Sequence, residues 1–154
     1  MNAALSLTCI TLATCVLATV VVLLSWRYRP AMWAADLGLP PQDVVAGGIV
    51  ALVILAVVTG GAVAAGLLVT ERWGILGAGV TGWAVMVAFG LWDFVVIDCF
   101  FFIHLRPSWF YVAGMEGTTA PIYDWRHHAK ESLPTLLFGI PVGAVAAGVA
   151  ALVT

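Results

Sequence analysis

The segment GLWDFVVIDCFFFIHLRP, residues 90–107, places three ionisable side chains inside a run of large apolar residues. These side chains belong to Asp93, Asp98 and His104. A carboxylate in the hydrocarbon core of a membrane costs on the order of 2.5–3.5 kcal/mol, so such a group usually faces protein, water or a ligand. We therefore expect this segment to cross a membrane and to carry side chains on which the function depends.

The composition of the whole chain is that of a membrane protein. Of its 154 residues, 63% are hydrophobic and 9% are charged, whereas about 25% of residues are charged in soluble domains. The formal net charge of −2 gives no basis for a nucleic acid partner. The cysteines are odd in number, form no CxxC motif and lie in apolar runs, which predicts buried thiols at Cys9, Cys15 and Cys99.

Four apolar segments are each long enough to cross a bilayer, which takes about 20 helical residues. We place them at residues 3–26, 44–70, 78–104 and 133–153. The sequence thus predicts an all-α fold, an integral membrane four-helix bundle in a single transmembrane domain. The third apolar region is longer than one crossing needs, so Asp93 lies at the midplane or near one edge of the core, depending on where this helix enters the membrane.

The distribution of Lys and Arg predicts the orientation of the chain. The second connection carries Arg72 alone, whereas five basic residues lie at the first and third connections: Arg27, Arg29, Arg106, Arg126 and Lys130. Because basic residues are retained on the cytoplasmic side, we expect these two connections to be cytoplasmic. Both termini then lie outside, and the protein is a multi-pass protein of the cell membrane.

The ionisable side chains of the third segment do not all share one face of an ideal α-helix. Asp93 and His104 fall within about 20° of each other, whereas Asp98 points about 140° away from Asp93. We therefore expect Asp93 and His104 to share a face, and we expect that the two carboxylates do not lie on one narrow stripe and do not form a paired-carboxylate site from this helix alone. In an alternative interpretation, each carboxylate accepts a hydrogen bond from a neighbouring helix or pairs with an arginine.

The loop at 106–132 ends in DWRHHAKE, residues 124–131, which predicts a short interfacial helix between the third and fourth spans. One arc of about 100° on this helix holds two imidazoles and two carboxylates, those of Asp124, His127, His128 and Glu131. These side chains are types that bind a divalent metal such as zinc or iron. A solvated helix face with ion pairs four residues apart explains the same pattern.

The aromatic residues form two groups. Trp26, Trp33, Trp73 and Trp109 lie at the ends of predicted spans, as in an interfacial belt. Deeper rings could pack in the core, or could line a pocket for an isoprenoid or acyl chain and stabilise a carbocation. The candidate substrate-binding residues are Trp92, Phe94, Phe101, Arg106 and Trp109.

These motifs resemble those of a loosely defined group of small four-span bacterial membrane proteins without an assigned activity. The similarity covers about residues 90–145 and rests on Trp92-Asp93, Ile97-Asp98, His104, residues 114–118 (GMEGT) and His127-His128. The resemblance implies four spans and a distinctive third helix. It implies no particular reaction.

Three functions are compatible with the sequence. The first is a small membrane enzyme that acts on a lipid or isoprenoid by acid–base or metal-assisted chemistry at the cytoplasmic boundary. Its catalytic residues would be Asp93, Asp98, His104 and His128. The second is a non-catalytic subunit that assembles with itself or with a larger membrane complex through the small residues Gly61, Ala65, Gly139 and Gly143. The third is an ion-coupled transporter that works as an oligomer, with Asp93 as the titrating group.

Overall fold

The computed structural model describes residues 2–33, 42–105 and 124–154, and every regular element in these ranges is helical. The all-α prediction is therefore confirmed. Three of the described helices are long and apolar enough to cross a membrane, namely Ala3–Tyr28, Val44–Leu105 and Trp125–Val153. Many of their large apolar side chains are exposed, as expected of helices that face lipid.

Polar side chains of helix α1, Ala3–Tyr28, form hydrogen bonds with the backbone of the same helix. The Asn2 side chain caps the helix by accepting a hydrogen bond from the Ala4 N–H at 3.1 Å. Inside the helix, the hydroxyls of Thr14 and Thr19 each donate to the carbonyl four residues earlier at 2.8 Å. These bonds let hydroxyl groups lie in an apolar helix at little cost. A single 3₁₀ turn, Pro30–Trp33, follows α1.

Helix α2, Val44–Trp92, reverses its direction at Gly74. The backbone there has φ 66° and ψ −170°, a conformation that is accessible almost only to glycine. A Cβ atom added to Gly66 would lie 3.0 Å from the carbonyl oxygen of Ala78, although these residues would be about 18 Å apart along a straight helix. The two halves of α2 therefore pack against each other as an antiparallel hairpin.

Helix α4, Pro134–Val153, packs closely on the second half of α2. A Cβ atom on Gly143 would lie 2.6 Å from the Gly79 carbonyl oxygen, and one on Gly82 would lie 2.7 Å from the Ala146 Cβ. Small residues permit such close contact between helix backbones. The Trp83 indole N–H also donates to the Leu136 carbonyl at 3.2 Å.

We predicted that four small residues contact a partner protein. In the structure, these residues pack against other helices of the same chain. Gly61 lies directly against Thr14 of α1, and Gly139 lies against the ring of Trp83. Ala65 is fully buried in a cluster with Ala62, Val85 and Val142. These residues hold the helices of one chain together and are not available to a second protein.

A π-helix, Asp93–Leu105, continues directly from α2. In a π-helix the hydrogen bonds join residues five apart, and such segments occur often at functional sites. Side chains five residues apart therefore lie on nearly the same face of a π-helix. On an α-helix they point about 140° apart. Helix α3, Trp125–Ser132, is capped by the Asp124 side chain, which accepts from the Arg126 N–H at 2.9 Å.

Candidate functional site

A cavity of about 570 Å³ lies between α1, α2, the π-helix and the α3–α4 segment. Ligand pockets in proteins typically hold about 300–1,000 Å³. Most of its lining is apolar, but five of the lining residues have polar side chains: Asp93, Asp98, His128, Ser132 and Thr135. The cavity thus combines a volume suited to a small molecule with a few polar groups.

The π-helix brings the two carboxylates of the third segment to this cavity. Asp93 and Asp98 are five residues apart, as are Ile97 and Phe102, and all four line the cavity. On an α-helix Asp98 would point about 140° away from Asp93. The expectation that these two carboxylates do not share one stripe of the helix is therefore wrong, because each residue of a π-helix turns the chain through a smaller angle than a residue of an α-helix does.

His104 lies away from the cavity, contrary to the expectation that it shares a face with Asp93. The two residues are eleven apart, which is about two and a half turns of a π-helix and places them on opposite sides. The His104 ring is exposed and stacks on Phe100, with ring centroids 6.1 Å apart. The structure therefore does not bring His104 together with the other candidate catalytic residues.

Asp98, which is half-buried, and His128, which is buried, form a pair at the cavity wall. His128 Nδ1 lies 3.3 Å from Asp98 Oδ1, and the two side chains are 9% and 14% exposed, respectively. The imidazole lies parallel to the ring of Phe102, with centroids 6.2 Å apart. Helix α3 thus presents His128 to the π-helix, so that two of the candidate catalytic residues, Asp98 and His128, are in contact.

Asp93 is the second carboxylate of the cavity, and its surroundings differ from those of Asp98. Its side chain accepts no hydrogen bond and makes no ion pair with the part of the chain that the structure describes. Asp98, in contrast, is paired with His128. Asp93 therefore presents to the cavity a carboxylate whose hydrogen-bonding capacity the described residues do not use.

Two tryptophans that were assigned to an interfacial belt form part of the cavity wall instead. Trp26 is 1% exposed and stacks on Trp33, with centroids 5.4 Å apart and planes 5° apart. Its edge also contacts Phe102, whose centroid is 5.1 Å away. The Trp33 indole donates to the Ser25 hydroxyl at 3.1 Å, which fixes its orientation. Trp26 is therefore enclosed by other side chains and does not face lipid as a belt residue would, whereas Trp33 is half-buried.

Three of the residues selected from the sequence as substrate-binding, Trp92, Phe94 and Phe101, do not line the main cavity. The Trp92 indole donates to the Thr19 hydroxyl at 2.9 Å and thereby ties the end of α2 to α1. Phe94 lines a second cavity of about 190 Å³, and Phe101 packs edge-on against Phe100. Arg106 and Trp109 lie outside the described residues. Sequence reasoning missed the rings that do line the main cavity, those of Trp26, Trp33, Phe89 and Phe102.

Among the described residues, the predicted metal ligands do not lie together around one point. Asp124 is exposed and caps the helix, whereas His128 is buried against Asp98 and His127 packs edge-on to His128. The side chain of Glu131 is outside the described residues. Within the described ranges, no three His, Cys, Asp or Glu side chains are placed to hold a metal ion. A divalent metal stays a prediction.

The geometry of the site indicates which reactions its side chains can perform. Comparison of the chain with protein-family models, with characterised proteins and with solved structures gives no match. A buried carboxylate paired with an imidazole can orient that ring and can take up or release a proton. A second carboxylate in the same cavity supplies a further proton acceptor or a counter-charge.

Proposed function

We propose that the protein is a four-span membrane protein with an internal site at which a lipid-like molecule undergoes acid–base chemistry. The four-span arrangement is supported by the reversal of α2 at Gly74, which divides the 62-residue helical stretch Val44–Leu105 into two antiparallel parts. Each part is longer than the 20 or so residues that one crossing needs. Together with α1 and α4, these two parts make up a four-helix bundle.

The position of the site at one end of this bundle also supports the proposal. Trp26 and Trp33 line the cavity, and the basic residues Arg27 and Arg29 lie between them in the sequence. Basic residues mark the cytoplasmic boundary of a span. The proposed site therefore lies within the bundle near its cytoplasmic end, where an amphiphile can enter from the membrane with its polar group toward water.

The observation that carries the proposed chemistry is the Asp98–His128 pair in the wall of an otherwise apolar cavity. Asp98 orients the imidazole through Nδ1, and the pair exchanges a proton with a bound substrate. Positioned acids and bases of this kind accelerate reactions by about 10²–10⁴-fold. Loss of either member should therefore reduce turnover by about 100-fold or more.

The experiment compares lipid extracts of cells that express the wild-type chain, Asp98→Asn, His128→Gln or no protein, using untargeted mass spectrometry. We expect a set of lipid masses that changes with wild-type expression and stays at the level of the empty cells in both variants. Glu71→Gln is the matched control, since Glu71 is an exposed carboxylate beside the reversal and away from the cavity. Size-exclusion chromatography in mild detergent establishes that each variant is folded.

Two results would contradict the proposed function. A lipid profile in wild-type cells identical to that of empty cells would show that the chain changes no extractable lipid. Equal profiles in the wild type and both folded variants would show that the Asp98–His128 pair is not the reacting site.

A further inference from the structure

We propose that the occupant of the cavity is a single-chain amphiphile with a positively charged ammonium head group. This inference rests on the proposed function, because it specifies the chemical class of the molecule that the cavity binds. It is argued from three features of the wall: its charge, its aromatic rings and the shape of its apolar part.

The charge of the cavity wall is negative. Its ionisable side chains in residues 2–33, 42–105 and 124–154 are those of Asp93, Asp98 and His128, and no lysine or arginine lines it there. The Asp98 carboxylate already has His128 as its partner. An anionic head group would meet the Asp93 carboxylate, and no lysine or arginine of the described wall would compensate the two like charges, which is unfavourable at low dielectric.

Asp93 is the side chain that would bind the head group. It lines the cavity and makes no hydrogen bond or ion pair with other described residues. A carboxylate in apolar surroundings is costly unless a hydrogen-bond donor or an opposite charge compensates it. An ammonium group supplies the charge and, if it is a primary amine, up to three N–H donors.

The aromatic part of the wall favours the same charge. Trp26 and Trp33 stack as a pair, and both rings line the cavity together with Phe102. The faces of aromatic rings attract cations, and tryptophan does so most strongly. A neutral hydroxyl would gain little from an aromatic face, whereas a cation at this part of the wall would gain from it.

The rest of the wall suits a single hydrocarbon tail. It consists of aliphatic and thioether side chains of α1 and α2, including Val22, Ala51, Ile54, Leu55, Val58 and Met86. The volume of about 570 Å³ is that of a drug-sized ligand pocket and is small for a two-chain phospholipid. A single alkyl chain therefore fits the cavity better than a membrane phospholipid does.

The test measures binding of three probes with the same tail by native mass spectrometry of the full chain in mild detergent. The probes are dodecylamine, dodecanol and dodecanoate, which differ only in their head groups. We expect one dodecylamine to bind per chain, with an affinity at least tenfold above those of dodecanol and dodecanoate. Asp93→Asn should remove this preference, whereas Glu71→Gln should keep it.

The outcomes separate this inference from the proposed function. Equal binding of all three probes to the wild type would contradict the inference of an ammonium head group, but it would agree with a lipid-binding site. Tighter binding of dodecanoate would also overturn the inference. Binding of none of the probes would overturn both the inference and the lipid site. The comparison of probes on the wild type needs no variant, so it decides the question even if Asp93→Asn does not fold.

Discussion

At the scale of single residues, two adjacent glycines of α2 have different surroundings. Gly61 lies against the side chain of Thr14, so that a Cβ atom there would collide with the threonine hydroxyl. Gly60 has nothing within 4 Å of the same position. The pair shows that the close contact between α1 and α2 depends on one particular glycine and not on a general richness in small residues.

We predict that Gly61→Ala destabilises the protein and that Gly60→Ala does not. Overpacking a close contact of this kind costs about 1–3 kcal/mol, whereas alanine at an open helical position favours the helix slightly. The measurement is the melting temperature of both variants in the same detergent. Equal melting temperatures would show that α1 and α2 are not in contact at Gly61.

The residues of the candidate site show what the sequence could and could not reveal. Asp93 and Asp98 could be selected because ionisable groups are rare in apolar segments, and His128 because it lies with other ionisable groups on one face of the predicted loop helix. All three line one cavity. His104 was selected for the same reason as the two carboxylates and lies elsewhere. Its direction was derived from α-helical geometry, and nothing in the sequence showed that residues 93–105 form a π-helix.

At the scale of elements, the reversal in α2 is the decisive feature. Apolar composition predicted helices at residues 3–26 and 133–153, and the structure has Ala3–Tyr28 and Pro134–Val153 there. The turn between the two central segments was harder to place. The chain is helical on both sides of Gly74, and a single residue with positive φ makes the turn.

We predict that Gly74→Ala destabilises the hairpin by about 1–3 kcal/mol, the cost of forcing a residue with a side chain into this conformation. Gly48→Ala is the matched control, because Gly48 is an exposed helical glycine with nothing near its Cβ position. Thermal unfolding of both variants in detergent provides the measurement. A Gly74→Ala protein as stable as Gly48→Ala would mean that the chain does not turn at this residue.

At the scale of the whole molecule, the number of crossings decides where the termini lie. Three crossings would put the two termini on opposite sides of the membrane, whereas four crossings put them on the same side. The basic residues at the first and third connections favour the outer side for both termini. The reversal at Gly74 and the charge distribution are independent arguments for the same topology.

We predict that a reporter enzyme active only outside the cytoplasm is active when fused after Thr154, and inactive when fused after Lys130. A second reporter fused before Met1 should also face outward. The assay is reporter activity in intact cells, normalised to the amount of fusion protein. Termini found on opposite sides would rule out the four-span arrangement.

The cavity draws its wall from residues as far apart in the sequence as Val22 and Thr135. Translation reaches these residues at very different times, so a ribosome-bound intermediate that ends before Thr135 lacks one side of the chamber. Any molecule that binds in this cavity would therefore meet its complete wall only after translation has passed Thr135. Until His128 is also in place, Asp98 lacks the imidazole that pairs with it in the folded chain.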